Sequence, residues 1–322
     1  MHNTNYETKV AVVIPCYKVS HHILGIIGSI GPEVQTIYVI DDCCPEKTGQ
    51  MVLERNIDSR VKVLLHSANM GVGGAVMTGY QEAIKDQMTV IVKIDGDGQM
   101  DCSQIPKLVN PIKSGDADYT KGNRFYNLEK ISAMPRVRLF GNACLSMMAK
   151  FSSGYWNLFD PTNGFTAIHA DVAKLLPYKK ISNRYFFETD ILFRLNTLGA
   201  VVMDIPMDAR YGDEVSNLKI SRIFFEFLGK HIRNFVKRIF YNYYLRDMSL
   251  ASIELPLGVL LFLFGTLFGL QHWYQSSISG QPTTAGTVMI VGLSLLMGLQ
   301  LILAFLAYDI ASIPKSTLHK NL

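Results

Sequence analysis

The chain has 322 residues, enough for one large or two ordinary domains with a real core, and a formal net charge of +4. Its five cysteines, Cys16, Cys43, Cys44, Cys102 and Cys144, are odd in number and lack zinc-type spacing. This excludes a disulfide framework and a zinc site, and they read as reduced thiols. Hydrophobic residues make up 48% of the chain and pile up towards its end.

Residues Met1 to Lys9 are polar and lead straight into a strand, so no signal peptide is expected. Val10 to Pro15, Thr36 to Asp41, Val61 to Leu65 and Val90 to Ile94 are short β-branched runs, with helical stretches Ser20 to Ile30, Lys47 to Arg55 and Gly73 to Lys85 between them. The alternation predicts βαβ units, an α/β fold and a mostly parallel, Rossmann-like sheet that binds ligands at the carboxyl ends of its strands.

Polar signals stand at those ends: Pro15-Cys16-Tyr17, Asp41-Asp42, Asn69 to Gly74, and Asp95-Gly96-Asp97-Gly98-Gln99. Asp41 and Asp42 read either as helix caps or as partners for a base N–H or ribose hydroxyl. The 95–99 turn suits a hard divalent cation, Mg²⁺ or Mn²⁺, or is a plain exit from the sheet. Gly71, Gly73 and Gly74 miss the dinucleotide spacing, and no Gly-Lys-Ser/Thr phosphate loop exists, which removes the main support for a nicotinamide enzyme or a kinase.

Taken in order, Val13 to Lys18, Val39 to Thr48, Asn69 to Ala75 and Asp95 to Gln99 resemble the successive motifs of family 2 inverting glycosyltransferases. Gly122 to Phe125 and Asp160 to Phe165 are similar to the polyprenyl-phosphate, dolichol-phosphate mannose synthase-like branch. The resemblance implies a GT-A fold, a UDP- or GDP-linked sugar donor and a metal. By it, Asp97 and Gln99 lie toward the metal and Asp95 faces the ribose or helps order the metal, while Pro15, Tyr17, Asp41 and Asp42 hold base and ribose. Tyr17-Lys18-Val19 departs from the family's Tyr-Asn-Glu.

Glu188 and Asp190 occupy the place where such enzymes put an acidic residue near the acceptor. A hydroxyl acceptor needs a general base there, whereas a lipid phosphate, already an anion, needs arginine forks. Arg124, Arg136, Arg138 and Arg210 stand at positions similar to the family's phosphate-binding segments. A later Gly-x-Ser-Lys segment is only partly reproduced, with Asn217 at the lysine position and Lys219 nearby.

From Leu218 to Arg246, Lys and Arg far outnumber the single acid, Glu226, and apolar residues recur at helical spacing. This basic amphipathic profile suits the lipid headgroup region better than nucleic acid. Ala251 to Leu270 and Thr287 to Ile310 carry only Glu254 and Asp309 as charges, and each is long enough to cross a bilayer. The connecting loop, Gln271 to Gly286, lacks Lys and Arg, which predicts two spans with both termini cytoplasmic. Gly265 and Gly269 offer a face for helix association and hence a homo-oligomer.

The expected organisation is a catalytic domain over 1–212, juxtamembrane helices over 213–250 and a transmembrane hairpin with a short tail over 251–322. The expected function is sugar transfer from a nucleotide-sugar to a polyprenyl phosphate at the cytoplasmic face. The alternatives are extension of a lipid-linked glycan with Asp190 as base, and a non-catalytic nucleotide-sugar-binding subunit.

Overall fold

Strand β1 (Val10–Cys16) is buried along its whole length, as its unbroken apolar run requires of a parallel strand covered on both faces. It pairs in parallel with β2 (Val34–Asp41) and β4 (Val90–Lys93), and β2 pairs in parallel with β3 (Val61–Leu65). Beyond β4 the sheet becomes mixed. Strand β6 (Thr166–His169) runs antiparallel between β4 and β5 (Tyr119–Asn123), and β7 (Val202–Pro206) lies parallel to β5. The order β3-β2-β1-β4-β6-β5-β7 is thus the mostly parallel sheet expected, with one reversed strand.

This computed structural model describes residues 8–56, 58–126, 136–161, 163–207 and 220–322, leaving aside the side chains of 136–138 and 220–224. The chain divides into two units, Met1–Phe235 with Pro314–Leu322, and Val236–Ile313.

In the first unit, helices α1 (Ile23–Ser29), α2 (Thr48–Arg55), α3 (Val72–Lys85) and α4 (Ile105–Lys113) connect or flank the parallel strands. Val12, Ile14, Val39 and Val92 form one core with Ile23, Ile27, Ile105 and Leu108. Alternation along β1 puts every second residue on that face, so the same strand serves two helical layers. Helices α5 (Arg136–Ser153), α6 (Ala170–Lys174) and α7 (Phe187–Leu198) complete the unit's second half. The tail 314–322 returns to this unit: Thr317 donates to the Gly115 carbonyl at 3.1 Å, and the amides of Leu318 and His319 donate to Asp118 at 2.8 and 2.9 Å.

Helix α8 (Ile220–Phe240) is followed by a π-helical turn, Tyr241–Arg246. On α8, His231 and Asn234 are buried and polar, while Phe225, Ile232, Val236 and Phe240 are exposed. His231 meets Ser152 Oγ at 2.8 Å and Asn234 donates to Asp190 at 3.3 Å. The buried side thus carries polar as well as apolar residues, with Phe227 and Phe235 packed on Phe186 and Phe151, while Ile232, Val236 and Phe240 are exposed near Arg233 and Lys237.

The second unit holds two long helices, α9 (Ala251–Ser279) and α10 (Ala285–Ala311), each long and apolar enough to cross a membrane. Helix α9 spans about 43 Å at 1.5 Å per residue and runs past the expected end at Leu270. Gln271 to Ser279 contain no helix breaker, and the helix stops only at Gly280, whose φ of 66° is the left-handed cap. Hydrophobicity marks the bilayer core, not the helix end. A Cβ on Gly265 would lie 3.0 Å from Leu295, and one on Gly258 would lie 3.0 Å from the Gly298 carbonyl. The small-residue face expected to join two copies thus packs α9 on α10 of the same chain. Arg238, 1% exposed, forks onto Asp309 at 2.6 and 3.0 Å, and the Tyr243 hydroxyl donates to Asp309 at 2.6 Å.

Candidate active site

The segments that follow β1, β2, β3 and β4 line one cleft of about 500 Å³, closed on its far side by residues 184–188. From β1 come Pro15 and Tyr17; Tyr17 is 46% exposed, an aromatic platform at the rim. Lys18 adopts a left-handed backbone (φ 58°), and its amide donates to Cys44 Sγ at 3.1 Å, fixing the turn. Val19 lines the cleft where the family pattern has a glutamate, so this segment brings no carboxylate.

The two adjacent aspartates diverge. Asp41 ends β2 and points inward, accepting from the amides of Cys44 and Gly49 at 2.6 Å each, and it is absent from the cleft lining. Its geometry is that of the helix-cap alternative, not of a base or ribose contact. Asp42 does line the cleft. Its carboxylate accepts from the amides of Met70 and Gly71 at 2.7 Å each and meets His66 Nδ1 at 2.8 Å, while His66 Nε2 reaches Thr78 at 3.0 Å. Asp42 therefore orders the loop after β3.

The glycines of that loop have a packing reason. Gly71 has φ 84°, and a Cβ there would lie 2.5 Å from the Asn183 carbonyl; a Cβ on Gly73 would meet the Phe187 Cβ at 2.7 Å. Gly74 N donates to Asn183 O at 3.2 Å. The glycines let the start of α3 touch the segment carrying Arg184 and Tyr185, so they close the far wall onto the sheet.

At the end of β4, Asp95 and Asp97 line the cleft. Asp97 Oδ1 accepts the Gln99 amide at 3.0 Å, which fixes the turn; the Gln99 side chain is not among the lining groups. Among the described residues no three His, Cys, Asp or Glu side chains cluster as a metal site. Two carboxylates two residues apart nevertheless fit Mg²⁺ or Mn²⁺, hard ions that commonly take one or two carboxylates and complete their shell with phosphate and water.

Beneath this turn lies a buried charge network that sequence reasoning missed. Lys93, 2% exposed, meets Asp95 Oδ1 at 2.5 Å and Glu188 Oε1 at 3.2 Å. Burial alone pulls the Lys93 ammonium down, but Asp95 and Glu188 outweigh it and leave the group above its usual value. Glu188 is raised by burial, against the pull of Lys93 and Lys121. Sheet register puts Lys93, Thr166, Lys121 and Asp204 in one row across four strands. Lys121 is fully buried and lowered by burial, and its ammonium donates to the Asn163 carbonyl. Burial also pushes Asp204 up to about 6. The available signal was a lysine inside each of two strands otherwise built for burial, Val-Ile-Val-Lys and Tyr-Thr-Lys-Gly-Asn.

On the acceptor side, Glu188 lines the cleft and Asp190 does not. Asp190 is 5% exposed and held by the Ser182 amide at 2.9 Å, Asn234 at 3.3 Å and Arg194 at 3.4 Å. This is the setting of a structural carboxylate rather than a general base poised over a substrate. Arg124 forks onto Asp160 at 2.8 and 3.1 Å. The side chains of Arg136 and Arg138, and all of Arg210, Asn217 and Lys219, lie outside the described residues. Arg184, exposed at the cleft's far wall, is a cation that sequence reasoning did not single out.

The family model described as glycosyl transferase family 2 matches residues 11–176, just over half the chain. The chain is 28% identical over 204 residues to an undecaprenyl-phosphate mannosyltransferase of Micrococcus luteus, covering 62% of this chain and 82% of that protein. It is 28% identical over 234 residues to a dolichol-phosphate mannosyltransferase of Pyrococcus furiosus, covering 71% of this chain and 64% of that one. Glucosyl-3-phosphoglycerate synthase from Mycobacterium tuberculosis, solved with Mn²⁺, UDP-glucose and phosphoglyceric acid, shares the fold with a TM-score of 0.54 at 16% identity, over 72% of this chain and 80% of that one. The matched segment contains every strand-end loop of the cleft's sheet side, and on it this chain belongs to glycosyl transferase family 2.

Proposed function

We propose that this protein transfers a sugar from a nucleoside-diphosphate sugar to the phosphate of a polyprenyl phosphate at a membrane surface. The observation that carries the proposal is a cleft with Asp95 and Asp97 on one wall and Arg184 on the other, in a chain that also bears two membrane-length apolar helices. The names of the two curated relatives support the same acceptor class.

In this reading Tyr17 and the Asp42-ordered loop receive the nucleoside, and Asp97, with Asp95, holds a Mg²⁺ or Mn²⁺ ion. When bound, the ion supplies positive charge to the leaving diphosphate. The acceptor phosphate oxygen attacks the anomeric carbon with inversion, while the bond from that carbon to the diphosphate oxygen breaks. A phosphate monoester, with a second pKa of about 6, is already largely dianionic at neutral pH and needs no base. That agrees with Asp190 being engaged away from the cleft, so extension of a glycan with Asp190 as base has no geometric support. Arg184 is the cleft cation for the acceptor phosphate on the described surface, joined by Arg124, Arg136, Arg138 and Arg210 from the sequence pattern, of which Arg124 is held by Asp160 outside the cleft lining.

The Lys and Arg residues before α9 and after α10 support a cytoplasmic catalytic unit and termini. The test is incubation of purified protein with labelled UDP- and GDP-sugars, divalent ion, and vesicles carrying undecaprenyl or dolichyl phosphate. An acid-labile lipid monophosphosugar is expected. Label only on lipids that already carry sugars would overturn the acceptor assignment, and no turnover with any donor would favour the non-catalytic alternative.

A further inference from the structure

Lys93 is the last residue of β4, and its ammonium lies between a cleft carboxylate, Asp95, at 2.5 Å and the first turn of α7 through Glu188 at 3.2 Å. Thr166 lies beside it in the sheet row, with Lys121 beyond Thr166 and Val13 on the other side. The space around it is full: a Cβ on Gly164 would collide with the Lys93 ammonium and the Asp95 carboxylate.

Packing is a weak reason for such a group. Burying the Lys93 ammonium against two partly buried carboxylates costs several kcal/mol, and apolar residues of similar volume often serve as well or better. The consequence that only a charge can supply falls on Asp95. An ammonium in contact with a carboxylate opposes a cation at that carboxylate by Coulomb repulsion, and Lys93, whose side chain is 2% exposed against 31% for Asp95, sits on the dry side of the pair where water screens it little. Asp95 therefore already carries a counter-ion before any ligand arrives, and it attracts a cation less than a carboxylate without an ammonium beside it would.

Resting on the donor reading above, we propose that Lys93 is a positioning residue that makes cation binding conditional on the nucleotide. The cleft holds Mn²⁺ or Mg²⁺ poorly alone and well only together with a nucleoside diphosphate, whose own negative charge makes up for what Lys93 takes from Asp95. The order of assembly is thereby set by one lysine: the ion enters with the donor and leaves with the product.

The test is Mn²⁺ binding followed by electron paramagnetic resonance, with Mn²⁺ alone and then with UDP or GDP, so that no turnover is needed. In the full-length protein, affinity for Mn²⁺ is expected to rise at least tenfold when the matching nucleotide is present. Lys93 is then compared in a background without its second partner, E188Q against K93M/E188Q. Removing the ammonium is expected to tighten binding of Mn²⁺ alone at least tenfold and to shrink the nucleotide's effect. Equal or weaker binding of Mn²⁺ alone by K93M/E188Q, with the fold intact by thermal unfolding, overturns the proposal. If that variant fails to fold, Lys93→Gln is compared with the parent instead: tighter binding of Mn²⁺ alone supports the proposal, and equal or weaker binding overturns it. A parent protein that binds no Mn²⁺ even with UDP or GDP overturns the donor reading, and this proposal with it.

Discussion

Asp118 and His319 stand 201 residues apart in the chain and meet at 2.6 Å, carboxylate to ring nitrogen. Asp118 is fully buried and accepts in addition from the amides of Val201, Leu318 and His319, at 2.7, 2.8 and 2.9 Å. The His319 ring stacks on His169 with centroids 4.3 Å apart. The segment after the second apolar helix is therefore part of the catalytic unit's core, and it gives that unit an acid-sensitive clamp.

Burial pushes Asp118 up, but His319 and the backbone donors outweigh it and hold the carboxyl below its usual range. Its stabilisation is present above about pH 4, the ordinary aspartate value, and is lost only as pH falls through the lower folded value. His169 acts earlier. Burial, then the neighbouring His319, pushes it from 6.5 down to about 4, so the unfolded ring takes a proton before the folded one does. This ring alone should lower stability by up to about 3 kcal/mol between pH 6.5 and pH 4. Burial pushes His231 from 6.5 down to about 4 as well, so thermal unfolding across that window should slope for the parent and slope less, without flattening, for His169→Gln.

Asp42 supplies the acceptors for the Met70 and Gly71 amides. Asp42→Ala leaves those donors and His66 without their partner, at a cost of roughly 2–4 kcal/mol. For a unit of this size that is a melting-temperature drop of about 5–12 °C. Asp42→Asn offers one donor where two acceptors are required and should fall between. Both variants should lose nucleotide affinity by equilibrium binding, because the loop they release lines the cleft.

At Gly164 an added methyl group has nowhere to go, since Asp95 Cγ would lie 3.1 Å away and the Lys93 ammonium closer still. Gly164→Ala should cost about 1–3 kcal/mol from overpacking and should disturb the Asp95 turn, seen as weakened nucleotide binding in the presence of Mn²⁺. The matched control is Gly25→Ala within α1, where nothing lies within 4 Å of the new Cβ. That change should be neutral or stabilising by up to about 1 kcal/mol, and nucleotide binding equal to Gly25→Ala in the Gly164 variant would refute the account.

In the second unit, Asp309 neutralises the buried Arg238. Asp309→Ala takes the bidentate carboxylate from a buried guanidinium and should cost about 3–5 kcal/mol, read as a lower unfolding temperature in detergent. The paired replacement Arg238→Met with Asp309→Leu should recover most of that loss, because it removes both desolvation penalties together. A double variant as unstable as Asp309→Ala would show that the pair has a further role.

The sequence by itself determined whatever depends on neighbours along the chain. The apolar run of β1, the alternation of strand and helix, the Asp95-Gly96-Asp97 turn at a strand end and the two long apolar helices were all legible because period, propensity and length are local properties. Element ends were less so: Ser20 to Ile30 narrows to Ile23–Ser29, and α9 outruns its apolar stretch to Ser279. Only the tertiary structure decided what each polar side chain faces. It turned Asp41 inward and Asp42 onto a loop 28 residues away, took Asp190 out of the cleft, and joined Lys93 to Glu188, Asp118 to His319 and Arg238 to Asp309. Those partners are separated by up to 201 residues, and an isolated carboxylate or ammonium in a sequence carries no mark of its counterion. Burial then decides the chemistry, because the same ion pair that is worth little in water controls protonation and cation binding once water is excluded.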